Sequence, residues 1–265
     1  MTTTATIAPA FITQIVQWLD DLLQTDMTPD YTGAHNGLQV GHSGPVRRVA
    51  ASVDASLRSV EQAVDAGANL LIVHHGLFWA GARPITGTLH RKIKLLIDND
   101  VALYSSHLPL DRHPTHGNNV LLAHAFGLTP SNTWHAYKGV PIGVVCEADI
   151  DTEQLAERVR TFASAHGHHA VVTPHAQGRR SHRIAICSGG GASSDSIREA
   201  LALGADTMLV GEGQHHTAVD ADEAGLVIIY AGHYATETLG VQALARTLAE
   251  RWELPWSFLP APTGL

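Results

Sequence analysis

Leu70-Leu71-Ile72-Val73-His74-His75-Gly76 decides the fold. Four consecutive aliphatic residues, with Gly67 before and Gly76 after, spell a short strand buried on both faces, as in a parallel sheet. The two histidines then stand at its carboxyl end, the edge where open α/β sheets bind ligands. Neutral imidazole is a common ligand of divalent transition metals. Neighbours in a regular strand point to opposite faces, so the pair can serve one site only where the strand ends. Gly76 permits that ending.

Working outward, residues 9 to 24 place Phe11, Ile12, Ile15, Val16, Leu19, Leu22 and Leu23 at helical spacing. Asn36-Gly37 and the neighbouring glycines mark tight turns. Val46 to Val53 reads as a strand, with Asp54 and Ser56 available to cap the helix that feeds Leu70. A helix over Leu89–Ile97 and a strand over Val101–Tyr104 follow. Pro109 then predicts a loop carrying His107 and Asp111. Gly117 to Phe126 is helical again, and residues 139–172 read strand, helix, strand, with Asp151 and Gln154 at the helix start.

Residues 183 to 259 repeat this order. Val49-Ala50-Ala51-Ser52 matches Ile184-Ala185-Ile186-Cys187, Glu61 to Val73 matches Arg198 to Val210 without a gap, and Val101 to His107 matches Val227 to His233. Three blocks in one order indicate an internal duplication. The expected fold is therefore α/β, with two related α/β/α halves, 1–130 and 131–265, and a site in the cleft between them.

The repeat exposes chemistry. His107 is followed four residues on by Asp111, and His233 four residues on by Glu237. With His74 and His75 these make four imidazoles and two carboxylates at predicted strand ends, a donor set suited to Zn, Mn, Fe or Co. Six candidates exceed the need of one catalytic ion and fit two ions roughly 3.5–4 Å apart. Glu212, His215 and His216 follow the counterpart of the His74-His75 strand end and are further candidates to line the site. His113, His116, His124, His166, His168 and His169 read as surface residues. Gly189-Gly190-Gly191 reads first as a tight βα turn, and second as a phosphate site at a helix N-terminus.

Asn36-Gly37-Leu38-Gln39-Val40, Ile72 to Trp79, His107-Leu108-Pro109-Leu110-Asp111, Gly117-Asn118-Asn119, Gly189-Gly190-Gly191 and Gly232-His233-Tyr234-Ala235-Thr236-Glu237 together resemble the YbgI-type members of the NIF-three-like, or GTP cyclohydrolase 1 type 2, family. The resemblance spans about residues 30–250. It implies two divalent metal ions per chain held by His74, His75, Asp111, His233 and Glu237, and a toroidal homohexamer. His107 then becomes a residue near the metals and not a ligand, with His107 or Glu212 moving a proton. The implied activity is metal-dependent hydrolysis of a small molecule, a purine nucleotide on the family name alone. The alternative is a non-catalytic metal-binding scaffold or regulator.

Composition narrows the classes. Seventeen Lys and Arg against 25 Asp and Glu give a net charge of −8, which argues against a nucleic-acid surface. No apolar run approaches the roughly 20 residues of a membrane helix. The start Met1-Thr2-Thr3-Thr4-Ala5-Thr6 lacks the pattern of a secretory leader. Cys146 and Cys187 form no framework, so a reducing cytoplasm is the expected setting.

Overall fold

The computed structural model describes residues 9–174 and 177–265. Met1–Thr6, read above for a leader, lies outside them. In chain order the first elements are α1 (Ile12–Leu23), β1 (Gly37–Val40), β2 (Val49–Asp54), α2 (Leu57–Asp65), β3 (Leu70–His75), α3 (Gly87–Asp98), β4 (Ala102–Ser105), α4 (Leu108–Asp111) and α5 (Asn118–Ala125). There follow β5 (Pro130–Tyr137), β6 (Val140–Asp151), α6 (Thr152–Ala165), β7 (Val171–Val172), β8 (Arg180–Cys187), α7 (Ser194–Ala202), β9 (Thr207–Val210), α8 (His215–Glu223), β10 (Val227–Tyr230), α9 (His233–Thr236), α10 (Thr238–Trp252) and β11 (Trp256–Phe258).

These elements form two compact units, Met1–Pro109 with Val241–Ala261, and Leu110–Gly240 with Pro262–Leu265. The sequence-based halves run 1–130 and 131–265; the units instead take Val241–Ala261 into the first. The reason is pairing and packing. β11 lies parallel to β2, with Trp256 opposite Val49, and the Trp18 and Trp252 rings meet edge to face at 5.1 Å.

In the first unit the sheet order is β1-β4-β3-β2-β11, all parallel but for β1. Alternate residues divide its faces. Ala50, Leu71, Val73 and Leu103 pack with Val60 and Ala63 of α2 and Leu89 and Leu96 of α3. Tyr104 points the other way, where its hydroxyl donates to Asp20 of α1 at 2.8 Å. The second sheet has the order β5-β6-β8-β9-β10-β7, with β8, β9 and β10 parallel. Ile184, Ile186 and Leu209 face α5 and α6, whereas Ala185, Met208 and Val210 face α7 and α8. Each half is thus a sheet between helical layers, with three parallel central strands and an antiparallel edge strand beside the last, β1 on β4 and β7 on β10.

Three details correct the sequence reading. Residues 108–111 form a short helix where a loop was expected, because Pro109 falls in the first turn, where its missing N–H costs nothing. The edge strands β1 and β5 were not anticipated; exposed Ser131, Asn132 and Thr133 give β5 no apolar alternation to read. The third aligned block is also shifted by one residue. The ladders set Ala102 beside Leu70 and Val227 beside Thr207, so Ala102 corresponds to Val227 and His107 to Gly232, not to His233. A one-residue slip exchanges the faces of a strand. The two His-x-x-x-acid pairs are therefore not at equivalent positions.

Candidate metal-binding site

The first unit gathers three imidazoles. β3 ends in His74, fully buried, and His75, whose ring lies 4.7 Å away, centroid to centroid. His107 follows β4 and sits 4.8 Å from His74 and 5.5 Å from His75. One ligand atom from each of the three falls within 4.8 Å of the others.

All three rings are held the same way. His74 Nδ1 contacts the Ser106 carbonyl at 2.9 Å, His75 Nδ1 the Asp54 carboxylate at 3.0 Å, and His107 Nδ1 the Asp30 carboxylate at 2.8 Å. A carbonyl or carboxylate oxygen only accepts, so each Nδ1 carries hydrogen, which in the neutral ring leaves the lone pair on Nε2. Metal-ligating histidines are fixed in this manner. Asp30 is itself fully engaged, accepting from Asn36 Nδ2 at 2.8 Å, the Leu108 N–H at 2.9 Å and the Tyr31 N–H at 2.7 Å. Burial pushes its carboxyl up, but His107 and the bonds from Asn36 and Leu108 hold it below the usual carboxylate range.

In the second unit carboxylates dominate. Asp111, buried, accepts from Asn118 Nδ2 at 2.8 Å and Ser188 Oγ at 3.1 Å. Glu237 is 2% exposed. His233 lies between two acids, Nδ1 on Glu212 at 2.9 Å and Nε2 on Glu237 at 3.1 Å. Burial works against its charge, but Glu237 and Glu212 together raise its pKa to about 9. Gly189 makes the room: its φ is +60° and a Cβ there would run into the Glu237 carboxylate. This supports the tight-turn reading of Gly189-Gly190-Gly191, and the α7 helix start is capped by Ser193, which accepts from Ser196 N–H at 3.1 Å.

Of the residues read from the sequence, His74, His75 and His107 come together in the first unit, and Glu212, His233 and Glu237 in the second. Ser188 beside Gly189 adds Asp111 to the second set. His215 and His216 are exposed on the first turn of α8. Asp30, Asp54, Asn118 and Ser188 were missed as anchors. Asp54 had one signal, its place at a strand end, but was read as a cap; Ser56 caps α2 instead, accepting from Ser59 N–H at 3.0 Å. Cys146 and Cys187 are buried and free, and burial raises both thiols, Cys146 to about 12.

Fold and donors define a class: a duplicated α/β protein whose buried His and Glu groups could hold a metal ion. The chain belongs to the Duf34/NIF3 (NGG1p interacting factor 3) family, whose profile matches residues 10–263. A Deinococcus radiodurans relative, named GTP cyclohydrolase 1 type 2 homolog, is 39% identical over 255 residues, covering 95% of this chain and 94% of its own. One from Escherichia coli with the same name is 34% identical over 261 residues, covering 94% and 98%. Among solved structures, the protein ybgI, described as of unknown function, superposes with a TM-score of 0.85 at 34% identity over 96% of this chain and 99% of its own. A Thermus thermophilus protein gives 0.81 at 36% identity over 96% and 99%. No helix among the described residues is long and apolar enough to cross a membrane.

Proposed function

We propose that the chain is a dinuclear metal-dependent hydrolase acting on a small molecule. His74, His75, Asp111, His233 and Glu237 together would hold two divalent ions of the Fe, Mn, Zn or Co type. The observation that carries this is the anchoring of Nδ1 in each of the three proposed histidine ligands, on Ser106, Asp54 and Glu212, together with the burial of Asp111 and Glu237 in the second unit. Nitrogen and oxygen donors without thiolate suit a catalytic site more than a closed structural one. When bound, such ions supply Lewis acidity and make water a nucleophile near neutral pH.

The protein's own residues do the rest. Asp30 keeps the His107 ring in one tautomer, with Nε2 able to accept a proton. Glu212 is half-exposed and takes the proton of His233 Nδ1, so it can pass a proton outward. A purine nucleotide substrate and a toroidal homohexamer are proposed on the family resemblance, the first in keeping with the relatives' name. Elemental analysis of natively purified protein, joined to a turnover screen over nucleotides, phosphoesters and cyclic amides, tests the reading. Two ions per chain and a hydrolysed substrate are expected, with metal lost in His74→Ala and Glu237→Ala. Two ions with no turnover would favour the scaffold alternative, as would collapse of the oligomer in either variant.

A further inference from the structure

His168 reads from the sequence as a surface residue, but the structure holds both its backbone and its ring. α6 ends at Gly167, whose φ of +77° is left-handed. The Gly167 N–H donates to the Ser164 carbonyl at 3.2 Å, and the His168 N–H to the Ala163 carbonyl at 2.9 Å. This pair of bonds is the Schellman closure, which ties the residue after the glycine to the last turn of the helix. α6 is seated in the core of the second unit through Leu155, Ala156 and Val159. His168 therefore stands on a rigid base.

The ring touches the turn that bears His233. Gly232, the residue before His233, has a φ of +97°, and a Cβ there would come within 2.6 Å of His168 Cγ and Cδ2. His168 Nδ1 donates to the Gly264 carbonyl at 3.0 Å. The next carbonyl, that of Leu265, accepts from the Tyr234 N–H at 3.1 Å. Pro262 of the same segment lies against the Schellman turn, 3.0 Å from where a Cβ of Gly167 would be. All of these residues belong to the second unit. His233 is thus flanked by two anchored neighbours, Gly232 against the His168 ring and Tyr234 on the segment that ring holds. Glu212 orients the His233 imidazole, but an oriented ring reaches a metal only where its backbone is also fixed, to within about 0.5 Å.

We infer that His168 is a positioning residue for the metal ligand His233, acting as a clasp that joins the end of α6 and the segment Pro262–Leu265 to the turn between β10 and α9. The inference rests on the metal reading for what the turn is positioned to hold; the clasp itself exists without an ion. Its role is separate from that of Glu212, since one fixes the backbone of the turn and the other the tautomer of the ring.

Two measurements on the full chain test this: hydrogen exchange at the Tyr234 and Thr236 amides of chelator-treated protein, and affinity for Zn or Mn by chelator competition. His168→Ala should speed the exchange about fivefold and weaken metal about tenfold. His168→Asn, whose side-chain amide stands where Nδ1 does, should recover most of both. His166→Ala controls for damage to the helix end, since the His166 ring bonds the Phe162 carbonyl at 2.8 Å and packs on the Phe162 ring at 4.3 Å. It should lower the melting temperature while leaving exchange at Tyr234 and metal affinity at wild-type values. Unchanged exchange in His168→Ala, equal losses in His166→Ala and His168→Ala, or full metal affinity in His168→Ala would each overturn the inference. Faster exchange in His168→Ala, from a wild type that binds no metal, would support the clasp while removing the metal reading.

Discussion

The carboxyl ends of the two sheets occupy equivalent backbone positions and carry opposite content. In the first unit β2, β3 and β4 lead to Asp54, His74, His75 and His107. The ladder registers match these with Gly189, Gly211, Glu212 and Gly232. One half fills its strand ends with side chains; the other empties three of four. In the first half Asp54 reaches across the ladder to hold His75. In the second the equivalent Gly189 gives way to Glu237, which arrives from after α9. Duplication thus preserved the frame but not the donors, imidazole in one half and mostly carboxylate in the other. The glycines are what allow the second set to approach from the following helix, since a Cβ at Gly211 would meet the Gly189 backbone and Thr236 Oγ1.

Filling an emptied position should do the most damage. Gly189→Ala combines a positive φ with a clash against a buried carboxylate, and is expected to cost about 2–4 kcal/mol in thermal or urea unfolding and to abolish metal binding. Gly190→Ala, one residue on, meets nothing within 4 Å, and should stay within about 0.5 kcal/mol of wild type. Equal melting temperatures for the two variants would refute the account of Gly189.

Emptying a filled position should do less. Asp54→Ala removes the anchor of His75 and is expected to weaken metal about 10–100-fold in chelator competition. Asp30→Ala, which of the three rings frees only His107 and also releases Asn36 and the Tyr31 and Leu108 N–H groups, should leave metal affinity close to wild type; a loss matching Asp54→Ala would make His107 a ligand.

The smallest effect is titration. Without metal, His233 has a folded pKa of about 9, against about 6.5 unfolded. A raised histidine pKa adds stability that is complete below the unfolded value and disappears as pH rises through the folded one. Melting temperatures of chelator-treated protein should therefore fall between about pH 6.5 and about pH 9, and Glu212→Gln should flatten that slope. Metal must displace the same proton, so metal affinity should rise over this range. A flat metal affinity across it would count against His233 as a ligand.

Much of the frame was legible in order. Leu70 to Val73 is a strand because its aliphatic run suits burial on both faces, and all four residues are buried. Asp151 starts α6 as its spacing indicates, accepting from the Glu153 and Gln154 N–H groups at 3.0 and 3.1 Å. The adjacency of His74 and His75 at a strand end was equally open. The alignment of His107 with His233 misled because similar residues lie one position apart, and only hydrogen-bond register distinguishes neighbouring positions of a strand.

What the sequence determined by itself was the periodic content of the chain: the buried parallel strands, the order of the repeat and the supply of histidines and acids. Local patterns suffice there, because side-chain direction repeats every two or 3.6 residues. What only the tertiary structure decided was which acid holds which ring. Asp30 and His107 are 77 residues apart, His75 and Asp54 are 21 apart, and no spacing rule joins them. Those bonds fix the tautomers, and hence which nitrogen is left to offer a metal. That choice depends on where the folded backbone brings a carboxylate within 3 Å of Nδ1, a distance the order of residues along the chain does not contain.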